Sequence, residues 1–134
     1  MLAHTYRFTL RNECGQTLAQ NNATVTGRRF KWAAGTKSYD DETTEYTMDD
    51  AGGLADGSYD NGATRDNDDS GAELWDGGDF VLTITAPASA SGEFYLYYDV
   101  STDGGTDWPT NGYGRLVAVI AFTSSGTKST EFCL

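Results

Sequence analysis

Histidine is almost missing from this chain: His4 is the only one in 134 residues. A Ser-His-Asp or Cys-His site and a histidine-held catalytic metal both lack material, so the chain is not expected to be an enzyme. Cysteine is nearly as scarce. Cys14 and Cys133 stand near opposite ends with no Cys-x-x-Cys or Cys/His spacing, which excludes a zinc site. They are expected to be free thiols, because the opening Met1-Leu2-Ala3-His4-Thr5-Tyr6-Arg7 does not read as a secretory leader and a cytoplasmic setting keeps thiols reduced. No run approaches the roughly 20 apolar residues of a membrane-crossing helix. No glycine-rich loop opens a helix, so phosphate binding lacks its usual platform. Positive charge is also short, with nine Lys and Arg against 20 Asp and Glu and a net charge of -11. Such a surface repels phosphate backbones and anionic lipid, so neither nucleic acid nor membrane is an expected partner. With so many carboxylates, glycosidase-like pairs must arise by chance and carry no information.

The charge is unevenly placed. From Asp40 to Asp79 there are 14 acidic residues and one basic one, Arg65, so this segment carries -13 and the rest of the chain +2. The first 39 residues hold six cations, Arg7, Arg11, Arg28, Arg29, Lys31 and Lys37, against Glu13 alone. The segment serves as a solubilising surface, a metal site or a docking surface for basic residues of another copy.

What is abundant is glycine, at 16, and aromatic residues, at eight Tyr, six Phe and three Trp. That mix favours strands and tight turns. The apolar period is two. Tyr6, Phe8 and Leu10 alternate with polar neighbours, and strands follow at Val25 to Ala33, Thr43 to Met48 and Phe80 to Thr85. Others are predicted at Glu93 to Ser101, Arg115 to Thr123 and Thr127 to Leu134. Residues 49–78 read as a long acidic loop region rich in Gly, Asp, Asn and Ser. The expected fold is all-β: one domain over residues 1–134, an antiparallel β-sandwich of immunoglobulin-like or jelly-roll type with about seven strands.

Two segments carry candidate sites. Asp66-Asn67-Asp68-Asp69-Ser70-Gly71 has the alternate oxygen ligands of the first half of a calcium loop. Its twelfth position is Gly77 rather than Glu, with Asp76 and Asp79 near enough to substitute, so the candidate ligand set is Asp66, Asp68, Ser70 and Asp76, and calcium is the only cofactor considered. Ser101-Thr102-Asp103-Gly104-Gly105-Thr106-Asp107-Trp108 resembles the Asp-box, a turn repeated on the blades of sialidases and other propellers, where it does no chemistry. Here Ser101, Asp103 and Gly105 are expected to shape a hairpin turn and Trp108 to fold back as a buried peg, whose truncation would cost roughly 3 to 5 kcal/mol.

The stretch Glu93-Phe-Tyr-Leu-Tyr-Tyr98, with Ser101 to Gly105, Trp108-Pro109, Asn111-Gly112, Gly114, Leu116-Val117 and Thr127 to Leu134, resembles small virion proteins of tailed bacteriophages. The resemblance covers about the last third of the chain. It implies a structural component present in many copies, a capsid decoration protein or a tail or collar protein, assembled in the host cytoplasm and resident in the virion. Its partners would be copies of itself or other virion proteins. Independently of that, Tyr95, Tyr97, Val117 and Val119 form second strand faces too apolar for free solvent, so a neighbouring subunit or the chain's own Asp49 to Gly78 loop is expected to cover them. Arg28, Arg29 and Lys31 are the candidate cations of the same interface, with charge setting orientation. The alternative is a carbohydrate-binding β-sandwich module with a host surface glycan as ligand. Trp75, in a polar loop, would be its exposed ring, while Trp32 and Trp108 would be core and hairpin residues.

Overall fold

The computed structural model describes residues 2–69 and 73–134. Period-two sequence produces strands throughout. They are β1 (Thr5–Glu13), β2 (Ala23–Ala33), β3 (Thr36–Tyr39), β4 (Thr43–Thr47), β5 (Tyr59–Asn61), β6 (Arg65–Asp66), β7 (Asp68–Asp69), β8 (Glu73–Leu74), β9 (Gly77–Ala86), β10 (Gly92–Ser101), β11 (Arg115–Phe122) and β12 (Gly126–Cys133). The first sheet has the order β11-β10-β1-β5, with β6 also on β1; the second has the order β12-β9-β2-β3, with β4 also on β2. All pairings among the described residues are antiparallel, and among them β7 and β8 pair only with each other. The result is an antiparallel β-sandwich, open rather than closed into a barrel.

The core forms where the inward side chains of the two sheets meet. Phe8 of the first sheet lies 5.7 Å from Phe80 and 5.8 Å from Phe132 of the second, edge to face in both cases. Tyr6, Leu10, Phe94 and Leu96 extend this layer from one side, and Val25, Leu82 and Ile84 from the other. Cys14 and Cys133 are free thiols, the first buried at the end of β1 and the second exposed on β12.

More strands are present than the seven expected. Those seven correspond to β1, β2, β4, β9, β10, β11 and β12; the others are two to four residues long, too short to display a period. Region 49–78 is built into the sandwich through β5 and β6 and through the buried side chains of Leu54, Trp75 and Asn67. Asn67 replaces missing strand partners: its amide donates to the carbonyls of Leu2 at 3.0 Å and Trp75 at 2.9 Å, and its carbonyl accepts from the Trp75 amide at 3.0 Å. Asn12 does the same for the turn after β1, donating to Gln16 and Leu54 and accepting from Cys14. Both are fully buried, where loop backbone without water needs such partners.

A polar seam closes the sandwich on the side opposite β11 and β12. Glu45 of β4, buried, accepts from the Tyr6 hydroxyl of β1 at 2.9 Å, from Arg65 of β6 at 3.1 Å and from Thr43 at 2.5 Å. One residue on, the Tyr46 hydroxyl donates to Asp60 of β5 at 2.6 Å. Adjacent residues of one strand thus tie the second sheet to the first. A polar cleft of about 400 Å³ opens beside this seam, lined by Thr44, Thr47, Asp49, Asn61 and the paired groups themselves.

Candidate interaction surface

The outer face of the first sheet is set by register. Opposite Arg7, Thr9 and Arg11 of β1 stand Asp99, Tyr97 and Tyr95 of β10. Opposite Tyr95 and Tyr97 on β11 stand Val119 and Leu116. A bulge between Leu96 and Tyr97 makes the second of these pairs Leu116 rather than Val117. Simple alternation places Val117 outside and Leu116 inside; the extra residue exchanges them. Val117 packs against the core, whereas Leu116 is 48 % and Val119 41 % exposed.

Part of this face is covered by the chain's own β10–β11 connection. The Ser101 hydroxyl donates to Asp103 at 2.8 Å and accepts from the Gly105 amide at 2.8 Å, while Asp103 takes the amides of Thr106 and Asp107 at 3.1 and 2.8 Å. The Asp107 amide above all, and then the Ser101 hydroxyl, hold the Asp103 carboxyl below the usual carboxylate range. Gly104 and Gly105 have φ of 75° and 102°, the positive values this turn requires. The Trp108 indole N–H then donates to the Gly105 carbonyl at 3.1 Å, and its ring lies 4.4 Å from the Arg7 guanidinium.

Trp108 is only half-buried, resting on a cation rather than inside the core. Its replacement by alanine is therefore expected to cost about 1 to 2 kcal/mol, less than a core aromatic, from one cation–π contact and partial burial. Urea unfolding of Trp108→Ala measures this, and unchanged stability would show that the turn stands without its peg.

Beneath the same connection Asp99 is buried on the outer face. It accepts from the Thr9 hydroxyl at 2.7 Å and lies 3.5 Å from Arg7 Nε. Gly114 closes over it so tightly that a Cβ there would stand 1.8 Å from Asp99 Oδ1. Tyr97, nearly buried, lies 6.4 Å from the Tyr59 ring, and the Tyr95 hydroxyl donates to Glu93. What stays open is the strip along β11: Leu116, Val119 and Ala121, with Tyr113 exposed beside it.

The six cations of the first 39 residues do not form one face. Arg7 and Arg11 lie on the outer face of the first sheet, and Arg28 and Lys37 on that of the second. Arg29 points the other way, donating to Asp40 at 2.8 Å and to the Asp66 carbonyl at 3.0 Å. Lys37 pairs with Asp79 at 3.0 Å, Arg7 with Asp99, and Arg11 with Glu13. Arg7, Arg11, Arg29 and Lys37 are therefore paired within one molecule, the last two with carboxylates of the acidic segment, and what remains of these cations for contacts between copies is weaker than the sequence layout suggests.

Two tryptophans are placed opposite to expectation. Trp75, expected in solvent, is 5 % exposed and packs under Arg29 and Lys31, whose charged groups lie 5.5 and 4.8 Å from its ring. Trp32, expected inside, is 59 % exposed. The odd residues Ala23 and Val25 show which face of β2 points inward, and that face becomes cationic at Arg29 and Lys31. Trp75 covers these stems and leaves Phe30 and Trp32 on the solvent side. There Phe30 sits 6.3 Å from Trp32 and 6.1 Å from Tyr39, which is 49 % exposed.

Of the candidate calcium ligands, Ser70 lies outside the described residues, as does the side chain of Asp68. Asp66 is exposed on β6, and the Asp76 carboxylate is committed to the Trp32 amide at 2.7 Å. Among the described residues no group of three or more His, Cys, Asp or Glu side chains is placed to hold a metal ion. Nor is any helix among them long and apolar enough to cross a membrane. Comparison with models of protein families, with curated proteins and with solved structures finds no match to this chain.

Proposed function

We propose that this chain is a structural component of a tailed-bacteriophage particle, present in many copies as a capsid decoration or tail-associated protein and acting through subunit contacts. The observation that carries this reading is the strip on β11, where Leu116 and Val119 stand open on a strand with no charged residue between Leu116 and Phe122. An isolated sandwich gains nothing from apolar side chains there, whereas a subunit contact buries them. The resemblance of residues 93–134 to small virion proteins points the same way, and that stretch contains the whole strip. Its Asp-box turn has a structural use: Ser101, Asp103 and the Gly105 carbonyl bond within the hairpin and to Trp108.

Co-sedimentation with particles stripped of their small surface proteins tests the reading. The chain is expected to pellet to saturation, and Leu116→Glu with Val119→Glu to stay in the supernatant while remaining folded. Binding unaffected by the double change would remove β11 from the contact.

A second reading has one observation of its own. Trp32 and Tyr39 present exposed rings around Phe30, with the Tyr39 hydroxyl and Lys37 Nζ gathered on Asp79 at 3.0 Å each. Aromatic faces beside hydroxyl-binding groups suit a neutral oligosaccharide. A chain that ignores particles, yet whose Trp32 fluorescence shifts with host surface glycan, would favour this reading over the first.

A further inference from the structure

We infer that the contact between copies is an antiparallel pairing of β11 with β11 of a second molecule, centred on Val119; this rests on the multi-copy reading above. The argument begins with hydrogen-bond direction. In β1, the Phe8 carbonyl accepts from Gly62, and Asn12 exchanges with Ser58 and Gly57, so even-numbered residues turn their backbone toward β5 and odd-numbered ones toward β10. Carried across β10 by register, this aims Phe94 and Leu96 at Ile120 and Ala118 of β11. The N–H and C=O groups of Val119 and Ala121 consequently face away from the sheet. Lys128 agrees with this direction, since its ammonium donates to the Ala121 carbonyl at 2.7 Å.

A free strand edge accepts another strand unless something prevents it. Among the described residues the other edges are blunted. β3, β4, β5 and β6 are two to five residues long, and β12 carries Lys128 and Glu131. β11 is eight residues long, has no proline, and is uncharged from Leu116 to Phe122. Among the described residues Lys128 is the one side chain hydrogen-bonded at its edge, and it takes only the Ala121 carbonyl.

The sequence of β11 fits a copy of itself. About a twofold axis at Val119, Ala118 meets Ile120, Val117 meets Ala121 and Leu116 meets Phe122, so every position from 116 to 122 sets an apolar residue against another. The outer face would gain a continuous row of Tyr95, Val119, the second Val119 and the second Tyr95. Charge agrees with this choice of edge. The strands β4, β5 and β6 of the acidic segment lie away from β11, with β5 and β6 at the far end of its own sheet. Two molecules of net charge -11 joined at β11 keep those segments apart, whereas pairing at the opposite edge would bring them together.

Sedimentation velocity of the full chain, over a concentration series reaching millimolar, is expected to show a rise from one chain mass to two. Val119→Lys should abolish the dimer while leaving circular dichroism unchanged, because the residue 119 side chain is exposed and lies outside the core. Lys128→Ala should shift the equilibrium the other way, giving dimer at several-fold lower concentration. In a Cys133→Ser chain, oxidised Val119→Cys should form a covalent dimer, since directly opposed strand residues lie within disulfide reach. Glu131→Cys in the same chain should give no covalent dimer. A chain that stays monomeric throughout overturns this pairing. So does a dimer that Val119→Lys leaves intact and Val119→Cys does not trap. Either result leaves the particle-binding reading standing or falling on co-sedimentation alone.

Discussion

Replacing Glu45 by alanine is expected to destabilise the fold by about 3 kcal/mol, although the residue touches no proposed contact surface. Three groups lose their partner together: the buried Tyr6 hydroxyl, the Arg65 guanidinium and the Thr43 hydroxyl. The tyrosine dominates. Its hydroxyl has no exposure to water, so the full desolvation of an unpaired donor, roughly 1 to 3 kcal/mol, falls on the folded state. Arg65 is 32 % exposed in its side chain and recovers hydration by turning outward, so its share is small. The side-chain cavity adds the remainder. Because the seam joins β4 of one sheet to β1 and β6 of the other, the loss should appear as a lower urea midpoint with an unchanged slope. Glu45→Gln should cost less, since an amide oxygen still accepts from Tyr6. Glu45→Leu combined with Tyr6→Phe should recover much of the loss, because no buried donor is then orphaned. Equal stability of wild type and Glu45→Ala would mean that the seam is decorative.

The same seam predicts a steep loss of stability in alkali. Burial, followed by the neighbouring Glu45 carboxylate, pushes the Tyr6 phenol well above its ordinary 10.0. Burial, followed by the hydrogen bond to Asp60, does the same to Tyr46. A phenol whose folded-state value is raised keeps its proton in the native state while the unfolded chain releases it. The folded state then binds more protons than the unfolded state above the unfolded value near 10. Stability is therefore fully present below that value and falls as pH rises past it. One such group costs about 1.4 kcal/mol per pH unit and two cost roughly 2.7, so a domain of ordinary stability should unfold within a few units. Urea titrations from neutral to about pH 12 give the slope. Tyr46→Phe should reduce it by about half, and a profile flat through pH 11 would show that water reaches both hydroxyls.

The sandwich was legible because its long strands announce themselves: Tyr6, Phe8 and Leu10, or Phe80, Leu82 and Ile84, alternate over enough residues to fix both strand and inner face. β5 to β8 carry no such signal at two or three residues each, and the fastening of region 49–78 falls to Asn67, a polar residue that reads as a turn former. Trp32 and Trp75 show a second limit. Period two gives two faces for β2, and the face holding Phe30 and Trp32 is the more apolar by eye. Yet Ala23 and Val25 fix the inward direction, and a tryptophan from elsewhere in the chain can cover Arg29 and Lys31. β11 shows a third, because a single bulge exchanged Leu116 for Val117 on the outer face. The charge layout misled for a related reason. Sequence counts charges, whereas the fold spends several of them in pairs such as Arg29 with Asp40 and Lys37 with Asp79.

Quantitative peptide mass spectrometry of tailed-phage particles purified from cells carrying the genome that encodes this chain tests the central claim most directly. A many-copy structural component should be present at a fixed ratio to the major capsid or tail-tube protein, resistant to high-salt washing because its contact is apolar. Its absence from particles that carry the other structural proteins at full ratio would contradict the account.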